Sequence, residues 1–131
     1  DPPAWLPAAG QGAIAVQSRD DDSRMRELLA PLDHAATGIA VRAERACLAE
    51  MEGGCQVPIG TLAMQEANEL VLHAFIADPR GTHMVRSHAP IDAENPEGAG
   101  KRVAYDILSR GGRYVLERLR AESKVPVPAP E

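Results

Sequence analysis

The sequence predicts an α+β domain in which helices cover one face of a three-stranded antiparallel sheet. Helical periodicity after residue 35 gives way to three short apolar segments and then returns. Turn-forming tetrapeptides at 66–69 and 78–81 separate the three segments, which is typical of consecutive strands joined as a meander. The 131 residues suffice for one domain of ordinary size together with a piece of another.

Residues 1–34 stand outside this pattern, and we interpret them as a connection followed by a strand–helix remnant that belongs to N-terminal domains. Residues 1–12 are rich in proline and glycine, which indicates an extended segment. The apolar run 13–18 predicts a strand, and the acidic triplet 20–22 caps a helix that Pro31 ends. Because an unpaired strand edge pairs readily with another chain, we expect residues 1–34 of an isolated chain either to be disordered or to dimerise through that edge.

The α+β domain is predicted to span residues 35–121. Its first helix runs from about residue 34 to residue 52. Gly53 and Gly54 then end it, because glycine adopts the left-handed conformation of a helix C-cap. Cys47 lies on the apolar stripe of this helix and is therefore predicted to be a core residue. The stripe contains Ala36, Ile39, Ala40, Ala43, Cys47 and Met51.

The remaining elements follow from local signals. Strands are predicted at 57–65, 70–77 and 82–89. Asn95 followed by Pro96 is typical of a helix N-cap and first helical position. Gly111 and Gly112 break that helix, and a shorter helix follows. The proline-rich residues 122–131 predict a disordered tail.

Composition and charge narrow the classes of function. There are 19 acidic and 14 basic residues, and the resulting charge of −5 argues against binding to nucleic acid. No apolar stretch approaches the roughly 20 residues that span a bilayer, so we expect no membrane insertion. Because no secretory signal is visible, we expect two free thiols in a reducing, cytoplasmic compartment.

A glycine motif and several metal-binding residue types are present without the context that their chemistry needs. Residues 10–15 match the dinucleotide pattern G-x-G-x-x-A, but that motif requires a strand before it and a helix after it. Cys47 and Cys55 lie eight residues apart and match no zinc pattern. His83 and His88, five apart, would point to opposite faces of one strand. We therefore predict no dinucleotide and no metal site.

Cys55 is the residue whose position suggests chemistry. It follows the predicted helix end and two glycines, which leave room beside it for a bulky group. The partial negative charge of a helix C-terminus disfavours a thiolate, which argues against a protease-like or redox cysteine. Such a thiol suits attack on a strongly activated carbon that leaves a lasting bond. The residues alone leave a second interpretation open, in which Cys55 is structural in a stand-alone binding or regulatory module.

Three blocks of the sequence, at 6–16, 42–46 and 52–60, together resemble the porphobilinogen deaminase (hydroxymethylbilane synthase) family. The most specific block reads E-G-G-C-Q-V-P-I-G, and the tetrapeptide 78–81 is similar to the family's strand-connecting turn. The blocks occur in the family's order and spacing. The resemblance covers about residues 5–121 and extends only to the C-terminal part of these enzymes.

The resemblance implies a function for the full-length protein. Family members join four porphobilinogen molecules into the linear tetrapyrrole hydroxymethylbilane and release ammonia at each step. The product grows from a dipyrromethane cofactor that a loop cysteine holds as a thioether, and the matching residue is Cys55. Loss of ammonia yields an azafulvene, an electrophile that an ordinary thiol captures. Gln11 and the backbone of Gly12 match positions near the pyrrole site.

The resemblance also implies which groups this chain lacks. The family's catalytic aspartate, and the arginines and lysine that bind substrate carboxylates, belong to the N-terminal part. We therefore expect no catalytic residue in this chain, no deaminase activity from it alone and a bare Cys55 thiol. The full-length enzyme is expected to be a monomer in which this piece contacts its own N-terminal domains.

Overall fold

A computed structural model describes residues 4–51 and 58–123 of the chain. It confirms the predicted fold class: a three-stranded antiparallel sheet in the order β1-β2-β3, with helices packed on one face. The helices are α1 (Ser23–Leu29), α2 (Ala35–Glu50), α3 (Pro96–Ile107) and α4 (Arg113–Ser123), and the strands are β1 (Ile59–Glu66), β2 (Glu69–Ala77) and β3 (Met84–Pro90). None of the helices within these described ranges is long and apolar enough to cross a membrane.

Alternation along the central strand β2 gives the sheet two different faces. Leu72, Ala74 and Ile76 point toward the helices and join one buried cluster. The helices contribute Ala43, Cys47, Met51, Val103, Ala104, Ile107, Val115, Leu116 and Leu119 to that cluster. Phe75 and Ala77 point to the opposite face, where none of the described helices packs and Leu6 covers them instead. The sheet therefore has one face closed by helices and one that only an extended segment partly covers.

The predicted helix boundaries hold where local capping chemistry sets them. The Asn95 side chain accepts a hydrogen bond from the Gly98 N–H, and Pro96 occupies the first turn of α3. Asp22 caps α1 in the same way by accepting from the Met25 N–H. Gly111 has a φ of 115°, a conformation that side chains disfavour, and it separates α3 from α4 as predicted.

The strand predicted at 13–18 is wrong. Residues 13–19 have no regular secondary structure, and the Ile14 side chain is 94% exposed. Strand backbone is stable only when its N–H and C=O groups pair with a neighbouring strand, and no strand among the described residues pairs with this run. The helix of the same remnant does form, because its hydrogen bonds are internal, but α1 buries none of its residues.

Helices α2 and α3 approach so closely that one position between them tolerates no side chain. A Cβ at Gly100 would lie 2.7 Å from the Cys47 backbone nitrogen and would also clash with the Ala43 carbonyl oxygen. Gly38, by contrast, lies in α2 with open space around its Cα. The absence of a side chain at Gly100 therefore sets the distance between the two helices.

We predict that Gly100→Ala lowers the free energy of unfolding by about 1–3 kcal/mol, because the added methyl group forces the two helices apart. Gly38→Ala is the matched control and should be neutral or stabilising by up to about 1 kcal/mol, since alanine favours helix. Urea denaturation of both variants measures the difference. Equal stability of the two variants would contradict the close approach.

Candidate functional site

The predicted anchor, Cys55, lies outside the described residues, as do Gly53 and Gly54, but the residues on either side of segment 52–57 are held in place by hydrogen bonds. Met51, at the end of α2, is fully buried, and its N–H donates to the Cys47 carbonyl over 3.2 Å. Pro58 precedes β1, and its carbonyl accepts the Ala77 N–H at 3.0 Å. The helical layer therefore fixes the chain before this segment, and the sheet fixes the chain after it.

Of the two cysteines, the structure describes Cys47, and the surroundings of this thiol make it inert. It is a free cysteine with 0% exposure between α2, α3 and the sheet, as its place on the helical stripe predicted. Burial raises the pKa of the Cys47 thiol to about 12. A thiol that is neither ionised nor accessible does not act as a nucleophile near neutral pH.

Gln11 and Gly12, predicted to lie near the pyrrole site, occupy an exposed turn. Gly10 and Gly12 have φ values of 73° and 93°, in the region that favours glycine, so the chain reverses here. The Gln11 side-chain oxygen accepts the Ala8 N–H at 3.2 Å and stabilises the turn. The described residues place no other functional group against Gln11 or Gly12.

This turn belongs to residues 4–12, which we call the leading segment, and a buried carboxylate holds it in place. Glu44 is only 5% exposed and projects from α2 toward β1. One of its oxygens accepts the Gly10 N–H at 2.7 Å, and the other accepts the Ala63 N–H of β1 at 2.8 Å. Glu44 therefore joins α2, β1 and the leading segment.

The leading segment also occupies the outer edge of β1. The Thr61 N–H donates to the Pro7 carbonyl at 2.8 Å, next to the bond between Ala63 and Glu44. Strand edges with free N–H groups invite pairing with other chains, and here two of these donors are satisfied within the chain. The structure thus protects the edge of the predicted domain.

Sequence reasoning did not single out Glu44, although it lies in the block at 42–46. The available signal was a glutamate adjacent to Ala43, on the flank of the apolar stripe of α2. A charged residue that is buried needs partners. Those partners are backbone N–H groups of Gly10 and Ala63, which no sequence pattern reveals.

The histidines are arranged differently from the prediction. His83 precedes β3, whereas His73 and His88 lie opposite each other on β2 and β3. Their rings stack with centroids 5.4 Å apart, and His73 Nε2 lies 2.7 Å from a Glu66 carboxylate oxygen. Within residues 4–51 and 58–123, no group of three or more histidine, cysteine or acidic side chains is placed to hold a metal ion.

The turn predicted at 78–81 is present and is organised by a buried carboxylate. The Asp78 side chain accepts hydrogen bonds from the Thr82 hydroxyl and from the backbone N–H groups of Thr82 and His83. These hydrogen bonds lower the pKa of Asp78 to about 2, and the bond from the Thr82 hydroxyl contributes most to this decrease. Gly81, with a φ of 70°, completes the turn.

An apolar groove of about 520 Å³ lies beside this turn on the open side of the sheet. Trp5 and Leu6 of the leading segment form one wall, and Phe75 and Met84 come from the strands. Pro58 lies at this groove, so the groove adjoins the point where the described chain resumes after segment 52–57. The full lining is Trp5, Leu6, Pro58, Ile59, Phe75, Ala77, Asp78, Pro79, Arg80, Gly81 and Met84.

Comparison with known proteins decides the family. Residues 38–109 match the family model described as "Porphobilinogen deaminase, C-terminal domain". The chain belongs to the porphobilinogen deaminase family. This confirms the resemblance drawn from the three sequence blocks.

Several curated relatives carry the name porphobilinogen deaminase. The chain is 47% identical over 118 residues to the relative from Moorella thermoacetica, covering 90% of this chain and 38% of that protein. It is 44% identical over 116 residues to the relative from Desulforudis audaxviator, with 88% and 38% coverage. The relative from Roseiflexus sp. is 47% identical over 116 residues, again with 88% and 38% coverage. The chain thus spans 38% of the length of these relatives.

We predict that Glu44→Ala lowers the free energy of unfolding by roughly 2–4 kcal/mol, because the Gly10 and Ala63 N–H groups lose their shared acceptor. Glu50→Ala, at an exposed position on the same helix, is the matched control and should change stability by less than about 0.5 kcal/mol. Hydrogen exchange should show faster exchange of the Gly10 and Ala63 amides in Glu44→Ala. Unchanged protection of both amides would contradict the two hydrogen bonds assigned to Glu44.

The Asp78 turn should also make stability depend on pH in the acid range. Because the folded-state pKa of Asp78 is below its ordinary value of 3.8, its contribution is fully present above about pH 4 and is lost as the pH falls through about 2. We therefore predict that the difference in stability between the parent chain and Asp78→Asn shrinks from pH 5 toward pH 2. Urea denaturation at several pH values measures it, and a constant difference would contradict the proposed hydrogen bonding.

Proposed function

We propose that this chain is the cofactor-anchoring part of an enzyme that joins four porphobilinogen molecules into hydroxymethylbilane with release of ammonia. In this proposal Cys55 holds a dipyrromethane cofactor through a thioether. Membership of the porphobilinogen deaminase family and the name of the relatives support the activity. We further propose that the enzyme acts as a monomer in the cytoplasm.

The state of Cys47 is the observation that carries the assignment of Cys55. The chain has two cysteines, and a covalent anchor needs a thiol that a bulky ligand can reach. Cys47 is fully buried and its pKa is raised to about 12, so it does not meet that requirement. Of the two thiols, Cys55 is the one left to serve as the anchor.

The described surroundings of segment 52–57 fit a cofactor of this kind. The segment begins at the C-terminal end of α2, whose partial negative charge disfavours a thiolate and suits a permanent tether better than a turnover nucleophile. The described chain resumes at Pro58, beside an apolar groove with space for aromatic rings. When bound, dipyrromethane supplies the pyrrole end to which further units are added.

We propose that residues 1–34 belong with the N-terminal domains of the full-length enzyme, residues 1–12 as the incoming connection and residues 13–30 as the completion of the first domain. Ile14, Val16, Leu28 and Leu32 are exposed, which suits residues that a neighbouring domain covers. Gln11 and Gly12 would then lie at the junction, close to the pyrrole site. Residues 35–121 would form the anchoring domain, with its own closed core.

The anchor assignment is tested by intact mass spectrometry of the full-length enzyme. We predict an excess over the sequence mass of one dipyrromethane, which Cys55→Ser removes and the control Cys47→Ala retains. The isolated 131-residue chain should keep its sequence mass and release no ammonia from porphobilinogen, because the resemblance assigns the catalytic aspartate to the N-terminal part of the enzyme.

Two results would contradict these proposals. An unmodified Cys55 in active full-length enzyme would exclude the anchor and favour the alternative, a binding or regulatory module with a structural Cys55. Ammonia release by the isolated chain would show that the catalytic groups lie within it.

A further inference from the structure

The apolar groove combines an exposed aromatic side chain with a shape suited to a ring-containing ligand. Trp5 is 72% exposed, and Met84 across the groove is also exposed, although both lie next to the buried Leu6 and Phe75. The volume of about 520 Å³ falls within the range of small-molecule sites. Exposed tryptophan beside a concave apolar surface is a feature of ligand-binding sites.

The backbone that carries Trp5 is held firmly, so this wall of the groove is preformed. The Arg86 guanidinium donates to the Ala4 carbonyl at 2.7 Å, and it lies 5.5 Å from the centre of the Phe75 ring. Gly60 lets the segment lie directly on β1, because a Cβ there would come within 2.8 Å of the Leu6 carbonyl oxygen. Contacts from β1, β2 and β3 therefore position the residues on both sides of Trp5.

The two charged residues of the groove are not equivalent. The Asp78 carboxylate is already hydrogen-bonded to Thr82 and His83. Arg80 is exposed and forms no hydrogen bond or ion pair with any residue of the described ranges. The group free to meet a ligand is therefore a guanidinium, which pairs preferentially with carboxylates.

We infer that this groove binds the carboxylate-bearing pyrrole rings of the chain tethered at Cys55, with one ring against Trp5 and a carboxylate against Arg80. The inference rests on the proposed function and adds a binding surface to it. Cys55 precedes Pro58 by three residues, and three residues of chain span at most about 11 Å. A tethered pyrrole therefore starts within reach of the groove.

Trp5 is the single tryptophan of the 131 residues, so its fluorescence reports on the groove directly. The probe is the pyrrole diacid that lacks the aminomethyl group of porphobilinogen, because without an amine to lose it cannot react with Cys55. We expect a saturable change in Trp5 fluorescence on titration of the 131-residue chain. Amide chemical shifts of Gly81 and Met84 should move over the same concentration range.

Arg80→Gln should weaken binding of this diacid about two- to fivefold, the effect of losing an exposed ion pair. Arg24→Gln, an exposed arginine of α1 outside the groove, is the matched control and should leave the affinity unchanged. The diethyl ester of the probe has no carboxylate to pair with Arg80, so it should bind the parent chain more weakly than the diacid does. The ester should bind Arg80→Gln as tightly as it binds the parent chain.

The inference is wrong if the diacid causes no saturable change, or if Arg80→Gln binds it as tightly as Arg24→Gln does. It is also wrong if the chain sediments as a dimer that Trp5→Ser converts to a monomer, because a second copy would then fill the groove. These outcomes are separate from a failure of the anchor, since the mass of the full-length enzyme tests Cys55 and a non-reactive ligand tests the groove.

Discussion

A buried glutamate connects helix α2, strand β1 and the leading segment, which are separated from one another in the sequence. Glu44 lies on α2, accepts one hydrogen bond from β1 and one from the leading segment, and is almost fully removed from solvent. Burying a carboxylate is costly unless strong donors replace its water shell. Because its two oxygens bond to Gly10 and Ala63, loss of either contact would leave one buried carboxylate oxygen without its donor. The geometry of the leading segment is therefore tied to the geometry of the domain.

Alternation of side chains along the strands gives the sheet two faces, one that packs into the core and one that stays partly open. On the helical side, small residues such as Gly100 and Ala43 let α2 and α3 approach closely, and a continuous core results. On the open side, Leu6 covers only part of β2, so an apolar groove remains beside Trp5. A closed face provides stability, whereas a partly open face leaves surface for a ligand.

The sequence was sufficient for elements whose signals are local. Asn95 and Pro96 mark a helix start through hydrogen bonds made within one turn, and the turn at 78–81 is set by Asp78 and Gly81 themselves. Cys47 was identified as core because helical periodicity alone fixes its face. These features depend on neighbours a few residues away, which a single sequence displays.

Features that depend on distant partners were missed. The run at 13–18 has the composition of a strand but no strand beside it among the described residues, so composition alone gave the wrong result. The stacked pair His73 and His88 depends on the register between β2 and β3, which spacing along the chain does not show. The role of Glu44 likewise required knowing which N–H groups face it. The role of Cys55 came from a family resemblance and from the inert state of Cys47, and it stays a prediction.

The arrangement of the leading segment has a consequence for how the proposed site is assembled. Segment 52–57 lies between α2 and β1 in the chain, and Glu44 holds Gly10 to the same two elements. Pro58, which adjoins that segment, and Trp5, of the leading segment, lie at one groove. Any displacement of this domain relative to the rest of a longer enzyme therefore carries Gln11, Trp5 and the attachment points of the Cys55 segment together. If successive pyrrole units are tethered at Cys55 as proposed, the groove that would receive them and the residues that flank segment 52–57, Met51 and Pro58, belong to the same domain.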